Sequence, residues 1–134
     1  MYRWVDPKKL KKFKEKVKSI TKRNQTVNLE TLIRERLNSY LRGWANYFHY
    51  GNVKGLFRKL DAWIRRRLRM VQLRSWRYIK HLHRMLRKKG WKVENLRGQR
   101  MTAWRSSKSP MIHAALDLAF FRGKGLVFLS DQIR

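Results

Sequence analysis

The residues in this chain best equipped for chemistry are arginines and lysines, and the chemistry open to them is phosphate binding. Between Lys54 and Arg100 stand seventeen Lys or Arg and only two acids, Asp61 and Glu94. A guanidinium offers a planar fork of donors that fits phosphate oxygens and also stacks on bases. A charge run is usually a solvated helix face, but such faces alternate signs so that acids answer bases, and this run does not. Arg58, Lys59, Arg65, Arg66, Arg67, Arg69, Arg74, Arg77, Lys80, Arg84, Arg87 and Lys88 are therefore candidate RNA contacts. Arg97, Arg100, Arg105 and Lys108 are candidate contacts to a DNA or RNA backbone. Asp61, isolated among these bases, is expected to pair with a nearby arginine.

Other reactive residue types assemble nothing. His81 and His83 are two apart, so a helix turns them to different faces, and His49 and His113 are isolated. No two acids are spaced for acid–base work or Mg²⁺ binding, and no glycine-rich phosphate loop is present. There is no cysteine, which removes disulfides and thiolate metal sites. The chain is expected to need no cofactor or metal and to hold no self-contained active site.

The overall charge points the same way. A net +27 on 134 residues opposes compaction unless a polyanion screens it, and solubility alone needs far less. A phosphate backbone releases counterions when neutralised and is the natural partner. No apolar run approaches the ~20 residues of a membrane span. The N-terminus, MYRWVDPKKLKKFKEK, lacks the apolar stretch of a signal peptide. The expectation is a cytoplasmic, nucleic-acid-associated protein with no membrane partner.

These cations must be positioned by helices. Asp6-Pro7 reads as an N-cap and first turn, and Leu10, Phe13, Val17 and Ile20 give a helix over about 7–22 with a lysine-rich outer face. Asn28 caps the next, whose stripe is Leu29, Leu32, Ile33 and Leu37. Asn38-Ser39 is expected to bend or recap it before Tyr40, Leu41, Trp44, Ala45 and Phe48 continue the apolar face. A third helix spans about 53–74 through Leu56 or Phe57, Leu60, Ile64, Leu68 and Val71. A fourth spans about 76–89 with Ile79, Leu82, Met85 and Leu86 inward, stopped by Gly90. Periodicity weakens there, so a boundary is placed near 90, dividing a helical domain (1–90) from a small nucleic-acid-binding extension (91–134). Ser109-Pro110 restarts a helix with Ile112, Ala115, Leu116, Ala119 and Phe120 inward, ended by Gly123 and Gly125. No strand pattern persists, so the class is all-α: a bundle of three to four helices and a helical extension.

The stretch LNSYLRGWANYFHYG, residues 37–51, concentrates aromatics. Trp44 and Phe48 lie at core spacing. Tyr47 and Tyr50 fall outside that stripe and are candidates for base stacking or a phosphate hydrogen bond. Gly43, inside a helix, is best explained by close approach of another backbone or of a ligand.

Leu37, Asn38, Leu41, Arg42, Gly43, Trp44, Ala45, Asn46 and Tyr47 resemble the signature of the maturase-specific region (domain X, or thumb) of group II intron reverse transcriptases, with Ser39 in place of the usual proline. FRKLDAWIRRRLR resembles the helix that follows, and AWRSSKSPMIHAALDLAFFRGKGLVFLSD more loosely resembles a short DNA-binding extension. The resemblance implies a thumb that grips structured intron RNA and primer–template to assist splicing and reverse transcription. It implies that Trp44 and Phe48 lock helices, that Gly43 permits packing at a bend, and that Arg42, Asn46 and Tyr47 face nucleic acid. The family's fingers and palm are absent here, so the chain is expected to be a non-catalytic part of an RNA-directed DNA polymerase. Implied partners are group II intron or other structured RNA, an RNA–DNA duplex or target DNA, and a separate reverse transcriptase catalytic domain. The alternatives are a DNA-binding module of helix-turn-helix type, or a non-specific basic structural RNA-binding protein.

Overall fold

The computed structural model describes residues 6–22, 25–48, 54–76, 79–90 and 110–132, of which 47–48, 76, 79–83, 110–111 and 132 are described by backbone alone. No strand occurs among them, and the fold is all-α.

Helix α1 (Pro7–Ile20) begins as its sequence dictates. The Asp6 carboxylate accepts the Lys8 N–H at 2.9 Å, and Pro7 sits where no intrahelical N–H is needed. Its stripe buries Phe13 and Val17 completely. It ends at Thr21, whose buried hydroxyl donates to the Val17 carbonyl at 2.7 Å. Asn28 then accepts the Thr31 N–H at 2.8 Å and starts α2 (Leu29–Thr31).

The helix does not break at Asn38-Ser39. It runs from α2 through one widened, π-helical stretch, Leu32–Leu37, into α3 (Asn38–Phe48). Asn38 keeps right-handed helical angles, and its N–H reaches the Ile33 carbonyl five residues back. The irregularity therefore precedes the expected bend. The extra residue lets Leu32, Ile33 and Leu37 share one buried face with Leu41 and Ala45.

Helix α4 (Lys54–Trp76) is the bundle's longest described element. Phe57, Leu60, Ile64, Leu68 and Val71 line its inner face, and Met70 and Leu73 are buried as well. Its C-terminal half is thus covered on more than one side. Helix α5 (Ile79–Lys88) buries Leu86, and Gly90 stops it at φ +85°, a left-handed conformation that glycine adopts without Cβ strain.

Beyond residue 109 the expected single helix is two. Asp117, with extended backbone, accepts the Phe120 N–H at 2.9 Å and divides α6 (Pro110–Ala115) from α7 (Leu118–Gly123). This recapping shifts the phase, so Phe121 is buried where Ala119 was expected, and Ala119 is exposed. A short 3₁₀ turn, Leu129–Gln132, follows.

The boundary placed near residue 90 does not separate two cores among the described residues. Ile112, Leu116, Phe121 and the run Leu126–Leu129 belong to the same apolar cluster as Phe13, Ile33, Leu41, Phe57 and Leu68. The residues after 109 complete the bundle rather than hang from it.

Candidate nucleic-acid interface

Three residues one turn apart on α4, Asp61, Arg65 and Arg69, form a row on one side of the helix. All three turn to the C-terminal segment. The Asp61 carboxylate, 5% exposed, accepts the backbone N–H groups of Leu129 at 2.7 Å and Ser130 at 3.0 Å. The expected pairing with an arginine is thus replaced: both oxygens serve a turn that would otherwise leave orphan donors in the core. Arg65 lies 5.3 Å from the Phe128 ring centroid, and burial lowers its guanidinium pKa, with the Asp61 charge opposing and Arg122 reinforcing that shift. Arg69 is 4% exposed, donates through Nε to the Leu116 carbonyl at 2.9 Å and covers the Phe121 ring at 5.4 Å. Burial, with Arg65 nearby, lowers Arg69 to about 10, so it remains a cation at neutral pH.

Arg67 points to the other side of α4. Its guanidinium donates to Thr21 Oγ1 at 3.2 Å, to the Thr21 carbonyl at 3.1 Å and to the Lys18 carbonyl at 3.4 Å. These are the free carbonyls at the C-terminal end of α1, where a cation also meets the negative end of the helix dipole. Arg67 and Arg69, expected at the RNA surface, are therefore tied into the fold. Arg65 is half-buried beside them.

Asn38 is a polar residue that sequence reasoning assigned to a helix bend. Its amide donates to the Gly125 carbonyl at 2.7 Å and its carbonyl accepts the Val127 N–H at 2.9 Å, a two-way clamp on the C-terminal segment. Gly125 sits at φ +85°, a left-handed conformation that favours glycine, with the mobile Arg34 guanidinium packed beside it.

Of the cations expected at the RNA surface, those exposed are Arg42 on α3, Arg58, Lys59 and Arg74 on α4, and Arg84, Arg87 and Lys88 on α5. Arg66 is half-buried and Asn46 exposed. The ion pairs among the described residues are Arg34–Glu30, Lys89–Asp117 and Arg122–Asp131. None involves Arg42, Arg58, Lys59, Arg84, Arg87 or Lys88. Tyr47 and Lys80 lie on α3 and α5, but their side chains fall outside the described residues, as do Tyr50, Arg77, Arg97, Arg100, Arg105 and Lys108 altogether.

In the aromatic stretch, Trp44 packs as expected for a core lock. Its ring stacks on Phe13 at 4.1 Å between centroids and tilts against Phe57 at 5.4 Å, while Tyr40 stacks on Phe13 at 5.8 Å. Burial raises the Tyr40 hydroxyl pKa. The Phe48 side chain lies outside the described residues. Of the two explanations offered for Gly43, close approach of another backbone is not seen among the described residues. A Cβ there would meet no heavy atom within 4 Å, so the chain does not pack closely upon it. It borders a cavity of about 590 Å³ between α1 and α3, whose rim and walls include Lys9, Lys12, Ser39, Tyr40 and Trp44, with Phe13 beneath. The lysines were legible only as an outer face, and nothing local in the sequence joins them to Gly43.

Among the described residues no helix is long and apolar enough to cross a membrane, and no three His, Asp or Glu side chains gather as metal ligands. Residues 10–109 match the family model described as group II intron, maturase-specific domain. No curated protein matches the chain significantly.

Proposed function

The chain belongs to the group II intron maturase-specific family, and on that premise we propose that it is an RNA-binding maturase module that grips folded intron RNA to assist splicing. The observation that carries this reading is a set of exposed cations without acidic partners among the described residues, Arg42, Arg58, Lys59, Arg84, Arg87 and Lys88. Folded RNA packs phosphates from several strands together, and side chains fixed on three helices meet such an array at more than one point. Each phosphate neutralised releases counterions, so affinity falls steeply with salt. Preference for the folded intron then comes from the shape of the phosphate array. Asn46, Tyr47, Tyr50, Arg66, Arg74, Arg77 and Lys80 complete the proposed surface, with Arg97, Arg100, Arg105 and Lys108 as backbone contacts. Arg65, Arg67 and Arg69 act from behind it, holding the bundle closed.

A primer–template duplex and a reverse transcriptase catalytic domain are further proposed partners, in keeping with a thumb. A helix-turn-helix reading loses support. Helices α6 and α7 have six residues each, and Ile112, Ala115, Leu116 and Phe121 are committed to the core.

The test is equilibrium binding to a folded group II intron RNA, to random RNA of equal length and to an RNA–DNA duplex, each over a salt series. The intron RNA is expected to stay bound at salt that releases the random RNA. An identical steep loss for all three would refute the maturase reading and leave a non-specific basic protein.

A further inference from the structure

We propose that the cavity between α1 and α3 is a nucleobase site: it takes one unpaired base of the RNA against Tyr40 and Trp44, while Lys9 and Lys12 meet the adjoining phosphates. The proposal rests on the RNA-binding reading above and adds to it a site for single-stranded RNA.

Four observations converge on it. The volume, about 590 Å³, falls within the ~300–1,000 Å³ usual for small-ligand pockets. Its walls are aromatic and braced: Tyr40 and Trp44 stack on the fully buried Phe13 at interplanar angles of 13° and 24°, so neither ring must be ordered when a base arrives. Its rim is cationic, and Lys12 takes part in no ion pair among the described residues. An open apolar hollow with a lysine rim fits a flat aromatic ring carried on an anionic chain. It does not fit the apolar face of another basic copy, which would bring like charges together.

Gly43 supplies the fourth. It lies within the regular part of α3, where glycine is unfavourable, and its neighbours leave open space where a side chain would stand. The fold gives no reason for glycine at this position. A ligand that uses the space beside the helix does. Bases splayed from single-stranded loops are the usual object of such aromatic surfaces, because in a duplex their faces are already stacked.

The experiment compares the full chain with Gly43→Leu and Gly43→Ala. Each is titrated with a single-stranded RNA of about 12 nucleotides, with an RNA duplex of the same length and with the folded intron RNA, and melting is followed by circular dichroism. The first carbon of the added side chain meets no heavy atom within 4 Å, and replacing glycine inside a helix favours folding, so melting is expected at or above the wild-type temperature. Affinity of Gly43→Leu for the single strand is expected to fall about tenfold, the loss of one stacked base, with duplex affinity unchanged and Gly43→Ala intermediate. In parallel, a single strand carrying 4-thiouridine is photo-crosslinked to the wild-type chain, which is expected to label α1 near Lys9 and Lys12 or α3 between Ser39 and Trp44. Wild-type affinity for the single strand in Gly43→Leu, an equal loss for strand and duplex, or labelling confined to other segments each overturns the site. If the intron RNA still outcompetes random RNA in that case, only the site falls. If wild-type protein shows no such preference, the maturase reading falls first.

Discussion

Replacing Asp61 by alanine decides between two accounts of the α4 row. Were Asp61 a partner for a surface arginine, its loss would cost ~0–1 kcal/mol, and less in high salt. The structure instead removes it from solvent and gives its two oxygens the Leu129 and Ser130 N–H groups. Alanine would leave one of these donors fully buried and the other partly so. A buried donor without an acceptor costs ~1–3 kcal/mol, so the pair amounts to about 2–4 kcal/mol once the partial exposure of Ser130 is discounted. For a chain of this size that corresponds to a fall of roughly 6–15 °C in Tm. Asp61→Asn, which keeps one acceptor oxygen, should lose about half as much. Thermal melting at low and high salt reads the stability. Amide hydrogen exchange at Leu129 reads the local bond, and should accelerate in Asp61→Ala beyond the change at Phe13. A Tm within 2 °C of wild type, or a loss that vanishes in high salt, would refute the capping argument.

Arg69→Met should lower stability by about 1–3 kcal/mol by orphaning the Leu116 carbonyl, yet leave the RNA affinity of the folded protein unchanged; calorimetry with a binding titration checks both. Lys88→Gln should do the reverse, keeping Tm and reducing the slope of log affinity against log salt by about 0.7–0.9, the share of one phosphate. Asp117 titrates below the ordinary carboxylate range: burial opposes this, but the hydrogen bonds from Lys89 and the Phe120 N–H outweigh it. A depressed carboxyl pKa adds stability that is complete above the unfolded value of ~3.9 and disappears as pH falls through the folded value. The tie between α5 and α7 should therefore loosen only below about pH 4; NMR shifts of Phe120 and Lys89 through an acid titration check it, and a midpoint above pH 5 would contradict it.

The helices were legible because their signals are local. Asp6, Asn28 and Gly90 act within four residues, and the stripes of α1 and α4 repeat with the helical period. The C-terminal segment's role was not legible. A row of arginines reads the same whether it faces phosphate or a carbonyl 47 residues away, as Arg69 does. Burial separates the two, and burial depends on what the rest of the chain places on top. Asp117 was readable in principle, since an aspartate before an apolar run is a helix start. It was hidden because the apolar pattern on either side of it could be joined into one helix. The π-helical stretch had no sequence signature, and its position followed from how Ile33 and Asn38 each meet the core.

That stretch acts as a phase setter. One α-helical residue corresponds to about 100° of rotation. Were the same residues, Leu32–Leu37, to wind as an ordinary α-helix with none removed, they would be well hydrogen-bonded and still apolar on one face. Everything beyond it would be turned by that angle against α1 and α4. Asn38 would swing away from Gly125 and Val127, Leu41 and Ala45 would leave the core, and Gly43 would no longer open toward Lys12. The sequence would be unaltered and the chain still helical, while the clamp and the cavity were both lost. The chain's functional surface is thus held in register by how those residues wind rather than by any one of them.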